Sequence, residues 1–224
     1  MDMEAHNTTP AAQHLPPSRS NVLRQALRDQ SRVAYHGAIL TAAETIILRE
    51  GFKRTKMLDV AEATGVSVGT LYNYFESKEA VLQAIMEHHY SRLEDQLKLQ
   101  FESADPVEQV IELVARVYRF IEDNRELFQL YCRSELDGHD GSKTSASLSP
   151  NAVFERVGQP IAELLNQCLQ SGRIRADIPL RELVWSLRTL LQALLTDWYR
   201  DSDRFSLTQR GAQLVALFFR GAGQ

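Results

Sequence analysis

The sequence predicts an all-α protein, with an N-terminal three-helix domain that contains a helix-turn-helix and a larger helical domain after it. Two observations predict this class. From about residue 38 onward, apolar residues recur three and four positions apart, as on the buried face of a helix, and no alternating strand pattern interrupts them. Between residues 56 and 75, a turn that contains glycine joins two short helical segments, as in a helix-turn-helix.

The first short segment, residues 56–64, has the pattern of a small amphipathic helix. Met57, Val60 and Ala61 fall on one face because they are spaced i, i+3 and i+4. Gly65 is expected to end this helix, since glycine best tolerates the left-handed conformation of a helix terminus. Ser67 is a favourable N-cap residue for the segment that follows.

The second segment, residues 68–75, has the composition expected of a helix that lies in the major groove of DNA. Leu71 and Phe75 face inward at i and i+4. Asparagine pairs well with adenine, threonine can touch a thymine methyl group, and tyrosine hydroxyls can donate to phosphates. The alternative is a pair of structural helices with exposed tyrosines. The residues on the outward face are Gly69, Thr70, Tyr72, Asn73 and Tyr74.

Two further residues favour the DNA-binding interpretation. Gly69 has no side chain that would hold a phosphate away from the free amides near Ser67, at the N-terminus of the helix. Lys78 lies in the first turn of the next helix, where the helix dipole disfavours a cation. An external phosphate would explain a lysine at this position.

The run GVSVGTLYNYFESKEAVL, preceded by GFKRTKMLDVAEATGVS, resembles the DNA-binding domain of TetR-like transcriptional regulators. The resemblance covers about residues 38–82 by motif and the rest of the chain by architecture only. It implies a homodimer that places two recognition helices on a palindromic operator and is induced by a small molecule. At the start of the first short helix, where that family often uses a hydroxyl to contact phosphate, Thr55 or Lys56 would serve. The positions that match DNA-contacting places in that family are Ser67, Gly69, Thr70, Tyr72, Asn73, Tyr74 and Lys78.

Composition and charge narrow the class of protein. No apolar run approaches the roughly 18 residues of a membrane span, and no apolar signal sequence opens the chain. Two cysteines, Cys132 and Cys168, give no disulfide framework, and we expect a cytoplasmic protein. Although the net charge is −4, residues 1–78 carry nine basic and eight acidic side chains, whereas residues 79–224 carry 16 and 21. The acidic excess therefore lies outside the candidate DNA-binding region.

We expect three regions along the chain: a disordered tail over residues 1–20, a DNA-binding domain with a basic N-terminal extension over residues 21–83, and an effector-binding and dimerisation domain over residues 84–224. In the extension, Arg24, Arg28 and Arg32 share one helical face because they are spaced four residues apart. Our hypothesis is that they contact phosphates or enter the adjacent minor groove. The alternative is a solvated face on a frayed helix.

The larger domain offers side chains that suit a hydrophobic or aromatic effector with a few polar groups. For each of them, an ordinary position in the hydrophobic core is the alternative. Arg116, Arg119 and Arg133 are candidates for recognising an acidic group, with solvated surface as the alternative for each. The residues predicted to line the pocket are Tyr118, Phe128, Tyr131, Cys132, Phe154 and Trp185.

The last two helical stretches, residues 179–199 and 207–219, carry apolar sets too wide for one core-facing stripe. We expect one face of each helix to pack in its own subunit and the other to pack against a second subunit, giving a two-fold four-helix interface. A thick monomeric core is the alternative. The residues predicted at the interface are Leu187, Leu191, Leu194, Trp198, Leu214 and Phe218.

No motif indicates catalysis, a metal or another cofactor. His88 and His89 are adjacent, so their side chains diverge on a helix and chelate poorly. Neither a nucleophile elbow nor a phosphate-binding glycine loop is present. We therefore expect a non-enzymatic repressor, released from double-stranded operator DNA by a small molecule. The alternatives are an activator or ligand-independent regulator of the same fold and a helical dimer that acts as a scaffold without DNA.

Overall fold

The computed structural model describes the backbone of residues 19–136 and 152–222 and the side chains of residues 30–130 and 152–221. Within these ranges the chain forms nine helices and no strand, which confirms the all-α prediction. Most of the predicted N-terminal tail and the loop over residues 137–150 lie outside the described residues. The helices are α1 (Arg19–Glu50), α2 (Met57–Thr64), α3 (Val68–Tyr74), α4 (Lys78–Leu97), α5 (Pro106–Asp123), α6 (Arg125–Leu136), α7 (Ala152–Gln170), α8 (Leu180–Arg200) and α9 (Leu207–Ala222).

The first helix, α1, has an exposed part followed by a buried part. Ile39, Ala43 and Ile47 are buried, as their spacing predicts, but Ala38 is exposed and so is every residue from 30 to 37. The helix nevertheless runs without a break from Arg19. Its N-terminal part therefore projects beyond the hydrophobic core of the domain.

Helices α2 and α3 form the predicted helix-turn-helix. Gly65 follows α2 with a φ of 70°, in the left-handed region that glycine tolerates best. The Ser67 hydroxyl accepts a hydrogen bond from the Thr70 N–H at 3.0 Å and so caps α3. The side chains that this pair of helices buries are Met57, Val60, Ala61, Leu71 and Phe75.

Helix α4 leads from the helix-turn-helix to the larger domain and packs against both α1 and α5. The Ser77 hydroxyl caps its N-terminus by accepting from the Ala80 N–H at 3.1 Å. At its other end, Arg116 of α5 donates to the carbonyls of Leu99 at 2.8 Å and Gln100 at 2.6 Å. Arg116 thus binds the last turn of α4 and the residues just after it to α5.

A second arginine joins α4 to α7. Arg156 donates to Glu94 at 2.7 Å and to Glu87 at 2.6 Å, two carboxylates that lie seven positions apart on α4. Its guanidinium also lies over the ring of Tyr90, 4.7 Å from the centroid. Three side chains of α4 therefore hold one side chain of α7.

Helix α5 is the centre of the larger domain and packs against α9 and α7, while α8 packs against α7 and α9. The buried Tyr118 hydroxyl donates to the Leu191 carbonyl of α8 at 2.8 Å. The Glu122 carboxylate accepts from the Leu207 N–H and the Thr208 hydroxyl, both at 2.5 Å. These bonds satisfy polar groups at the N-terminus of α9 and fix its position along α5. In the part of the chain that the structure describes, no helix is long and apolar enough to cross a membrane.

Gly211 allows α9 to approach α5 closely. A Cβ atom at this position would lie 2.2 Å from Cδ2 of Tyr118, far inside van der Waals contact. By contrast, a Cβ atom at Gly158 of α7 would meet no atom within 4 Å. These two helical glycines therefore differ in whether packing requires them.

Gly211→Ala should destabilise the protein by about 1–2 kcal/mol, because overpacking against Tyr118 exceeds the gain in helix propensity. Gly158→Ala is the matched control and should stabilise the protein by up to about 1 kcal/mol, since only propensity changes. The measurement is urea unfolding followed by circular dichroism at one fixed protein concentration. Equal stabilisation by both substitutions would contradict the close approach of α9 to α5.

Candidate nucleic-acid interface

The orientation of α3 is set by the two side chains that it buries. Leu71 is fully buried and Phe75, the residue after the last helical turn, is nearly so. Val66 in the turn is half-buried and packs against the same core. Because these residues face inward, the opposite side of the seven-residue helix faces solvent.

The outward face of α3 carries side chains that can read or contact a duplex. Tyr72 is 49% exposed, and Thr70 and Asn73 are exposed as well. Tyr74 is half-buried and packs on the core, so only part of its side chain is available. The Thr70 and Ser67 hydroxyls are 2.8 Å apart, which holds the Thr70 side chain against the N-terminus of the helix.

The space around Gly69 supports its proposed role. A Cβ atom at this position would meet only the Ser67 Oγ, at 3.9 Å, which is ordinary contact. Packing within the chain therefore does not require glycine at position 69. Close approach of an external group to the helix N-terminus would favour it.

Lys78 has partners inside the protein, contrary to the dipole argument made from the sequence. Its ammonium donates to the Phe52 carbonyl at 2.8 Å and lies 4.5 Å from the centroid of the Phe52 ring. These contacts stabilise the cation at the start of α4 without a phosphate. A phosphate contact by Lys78 stays a prediction, but its position no longer argues for one.

Of the two candidates at the start of α2, the structure removes Thr55. Its side chain is buried, and its hydroxyl donates to the Gly51 carbonyl at 3.1 Å, so it cannot reach a phosphate. Lys56 is exposed as the N-cap residue of α2, and its backbone N–H donates to Asp59 at 2.9 Å. Lys56 is therefore the remaining candidate at this end of the motif.

In the basic extension, the backbone of α1 includes all three predicted arginine positions, 24, 28 and 32. The Arg32 side chain is exposed, whereas those of Arg24 and Arg28 lie outside the described side chains. Their contact with DNA stays a prediction.

The predicted effector-binding residues do not all come together. Tyr118, Phe128 and Phe154 are buried in the core of the larger domain. Trp185 is 61% exposed, on the side of α8 opposite the buried Leu187, so it is wrong as a member of this group. The side chains of Tyr131 and Cys132 lie outside the described residues.

The predicted dimer residues also divide into two sets. Leu187, Leu191 and Trp198 are buried within a single subunit, so their assignment to an intersubunit interface is wrong. Leu194, Leu214 and Phe218 are only half-buried. The sequence pattern predicted that α8 and α9 carry more apolar residues than one core-facing stripe needs. It did not predict which of these residues are buried within the subunit.

An apolar groove of about 440 Å³ runs between α8 and α9. Leu217, which is 65% exposed, and Leu190 lie on this groove, and neither was predicted at an interface. Their exposure marks them as interface candidates, and exposure is known only from the structure. The lining residues are Ile178, Leu183, Ser186, Leu190, Leu214, Leu217, Phe218 and Gly221.

Sequence reasoning also missed a polar link between α1 and α4. The buried His89 ring lies with Nε2 3.0 Å from the Glu44 carboxylate, and its Nδ1 is buried without a hydrogen-bond partner. This hydrogen bond, together with the charges of nearby histidines and Arg92, lowers the pKa of Glu44 despite partial burial. The link holds the helix-turn-helix domain against α4.

Among the residues with described side chains, no group of three or more histidine, cysteine or acidic residues is placed to hold a metal ion. Cys168 is buried in α7. Burial, with a smaller contribution from the charge of Asp105, raises the pKa of its thiol to about 11.

Comparison with known proteins shows which family the helix-turn-helix region matches. The family described as bacterial regulatory proteins, tetR family, matches residues 39–85, which span the buried part of α1, the helix-turn-helix and the start of α4. Over these residues the chain matches the DNA-binding region of the TetR family. This match and the relatives described below support a TetR-family transcriptional regulator with a DNA-binding helix-turn-helix, as the sequence predicted.

Individual TetR-family proteins are similar to this chain beyond the DNA-binding region. The transcriptional repressor KstR2 of Mycobacterium tuberculosis is 23% identical over 193 residues, which are 83% of this chain and 91% of that protein. The structure of Thermus thermophilus FadR in complex with lauroyl-CoA has a TM-score of 0.60 and 24% identity, over 83% of this chain and 94% of that one. Bacillus subtilis FadR in complex with stearoyl-CoA has a TM-score of 0.61 and 20% identity, over 82% and 97%. These structures show that the fold is shared over most of the chain.

Proposed function

We propose that this TetR-family regulator is a repressor, that it binds a palindromic operator as a homodimer, and that a small apolar molecule releases it. In this proposal residues 21–83 bind DNA and residues 84–224 bind the effector and form the dimer. The observation that carries the proposal is the outward face of α3, where Thr70, Tyr72 and Asn73 are exposed around Gly69. That face offers base-reading groups without any evident role in the packing of the chain.

The proposed reading of DNA divides the face into two kinds of contact. Asn73 and Thr70 are assigned to base edges, because their side chains are short, polar and exposed on the outward face of α3. Lys56, Tyr72 and the N-terminus of α3 at Ser67 are assigned to phosphates. Phosphate contacts set the position of the helix, and base contacts supply the sequence preference.

Selection of random duplex DNA with the purified protein should enrich an inverted repeat, and Asn73→Ala should then weaken binding to that repeat by about 1–3 kcal/mol. The loss should be much smaller on unrelated duplexes, because these lack the base with which the Asn73 amide forms hydrogen bonds. Fluorescence anisotropy at one salt concentration measures both affinities.

Lys56→Gln is the control for this experiment, because loss of a phosphate contact should weaken binding to all duplexes by similar factors. If selection enriches no motif, the protein is a scaffold and not an operator-binding regulator. If Asn73→Ala is neutral on every duplex, the assignment of this face is wrong.

We assign the dimer interface to the groove between α8 and α9, where Leu190, Leu214, Leu217 and Phe218 present apolar surface. Leucines with such exposure on two adjacent helices suit a two-fold packing with the same pair of a second subunit. The proposed dimer must place its two α3 helices on one side, because a palindromic site requires two recognition helices.

Leu217→Glu should convert the dimer to monomer at micromolar concentration, because it places a charge in the apolar contact. Sedimentation velocity measures this, and operator affinity should fall in parallel. Leu99→Glu is the matched control, since Leu99 is 61% exposed but lies after α4, outside the groove. A monomeric wild type, or equal effects of both substitutions, would overturn the assignment.

The effector is proposed to be a molecule with a long apolar part. The two FadR structures named above hold fatty acyl-CoA, and their fold is shared over most of this chain. In this chain the larger domain buries an aromatic group in which the rings of Phe120 and Phe128 meet edge to face, with centroids 6.2 Å apart. Hydrophobic and aromatic side chains of this kind are the usual lining of a site for an apolar ligand.

Lauroyl-CoA or stearoyl-CoA should release the protein from the selected operator, whereas free CoA at the same concentration should not, because it lacks the apolar chain. An electrophoretic mobility shift titration measures release. Failure of both thioesters would remove acyl-CoA as the effector class and favour the ligand-independent alternative. It would leave the DNA-binding assignment unchanged, since that is tested without effector.

A further inference from the structure

The N-terminal extension, defined here as residues 19–38, is continuous helix that the domain core does not use. All described side chains in this range, from residue 30 to residue 38, are exposed, and burial begins only at Ile39. Twenty helical residues span roughly 30 Å at about 1.5 Å per residue. The extension therefore adds this length of helix before the first buried residue of α1.

Two contacts in the C-terminal half of α1 show in which direction the extension continues. Glu44 and Leu48, in the C-terminal half of α1, border a groove shared with residues 122–127 at the junction of α5 and α6. The His36 ring, nearer the N-terminus, lies 4.9 Å from the ring of Phe75 at the end of α3. Followed toward its N-terminus, α1 thus runs from the junction of α5 and α6 to the end of α3, and the extension continues beyond that contact.

The charge of the extension is strongly basic. It contains four arginines, at positions 19, 24, 28 and 32, and a single acidic residue, Asp29. On a helix with about 100° per residue, positions 24, 28 and 32 share one face with the exposed Tyr35. Exposed tyrosine beside arginine is a common combination for contacting phosphate.

We propose that this extension is a second DNA-contacting element, which lies along the phosphate backbone of the duplex that flanks each operator half-site. The three arginine positions from 24 to 32 cover roughly 12 Å of helix axis, against about 3.4 Å per phosphate along one strand, so together they can contact several phosphates. The partner is duplex DNA because the extension is basic and because its His36 ring lies against Phe75 at the end of α3, the helix proposed to bind DNA. The inference rests on the proposed function, since it requires that α3 bind an operator.

The test compares a triple variant, Arg24→Gln, Arg28→Gln and Arg32→Gln, with the wild type on two duplexes. One duplex ends at the selected half-sites, and the other extends about one helical turn beyond each of them. Glutamine keeps helix propensity close to that of arginine, so the extension stays helical. The control is Arg175→Gln, Arg181→Gln and Arg204→Gln, which removes the same charge from exposed arginines of the larger domain.

On the long duplex, the slope of log K against log salt should flatten by about 0.9 for each arginine that contacts a phosphate, hence by up to roughly 2.7 per subunit. On the short duplex the triple variant and the wild type should have the same slope. The control should match the wild type on both duplexes. Circular dichroism of the triple variant verifies that helix content is unchanged.

Equal slopes for the wild type and the triple variant on the long duplex would overturn this inference and leave the proposed function standing. An equal flattening by the control variant would also overturn it, because the effect would then come from total charge. If selection enriches no duplex at all, the proposed function fails and this inference falls with it.

Discussion

Burial of Leu71 and Phe75 is the interaction on which the DNA-binding surface depends. A seven-residue helix is not stable alone in water, because nucleation costs more than so few hydrogen bonds return. Helix α3 therefore exists because these two side chains enter the core formed with α1 and α2, and because Ser67 caps its first turn. The same burial determines which residues of α3 face outward. The stability of α3 and the choice of the residues proposed to contact DNA therefore have one cause.

The larger domain is organised around α5 and reaches the DNA-binding half through α4. Arg116 of α5 and Arg156 of α7 both bind α4, one at its C-terminal end and the other along its middle. The Glu44–His89 hydrogen bond then joins α4 to α1. Polar contacts of this kind are directional, so a shift of α4 relative to α1 or α7 must break or re-form them.

Prediction from the sequence succeeded where a residue has a local role and was wrong where the outcome depends on neighbouring helices. Gly65, Ser67 and Leu71 act within a few residues of themselves, and their roles and helix bounds follow from periodicity and capping chemistry. The internal partner of Lys78, by contrast, is the carbonyl of Phe52, which lies 26 residues earlier in the chain. Likewise, an apolar stripe on α8 does not reveal that Leu187 and Leu191 are covered by the same chain while Leu190 is left uncovered.

The environment of Cys168 limits the kinds of signal to which this regulator can respond. With a thiol pKa of about 11, only about one molecule in ten thousand carries the reactive thiolate at pH 7. The thiol is also buried, so peroxide must wait for a local opening of α7 to reach it. Oxidant sensing through this cysteine is therefore slow on two separate grounds.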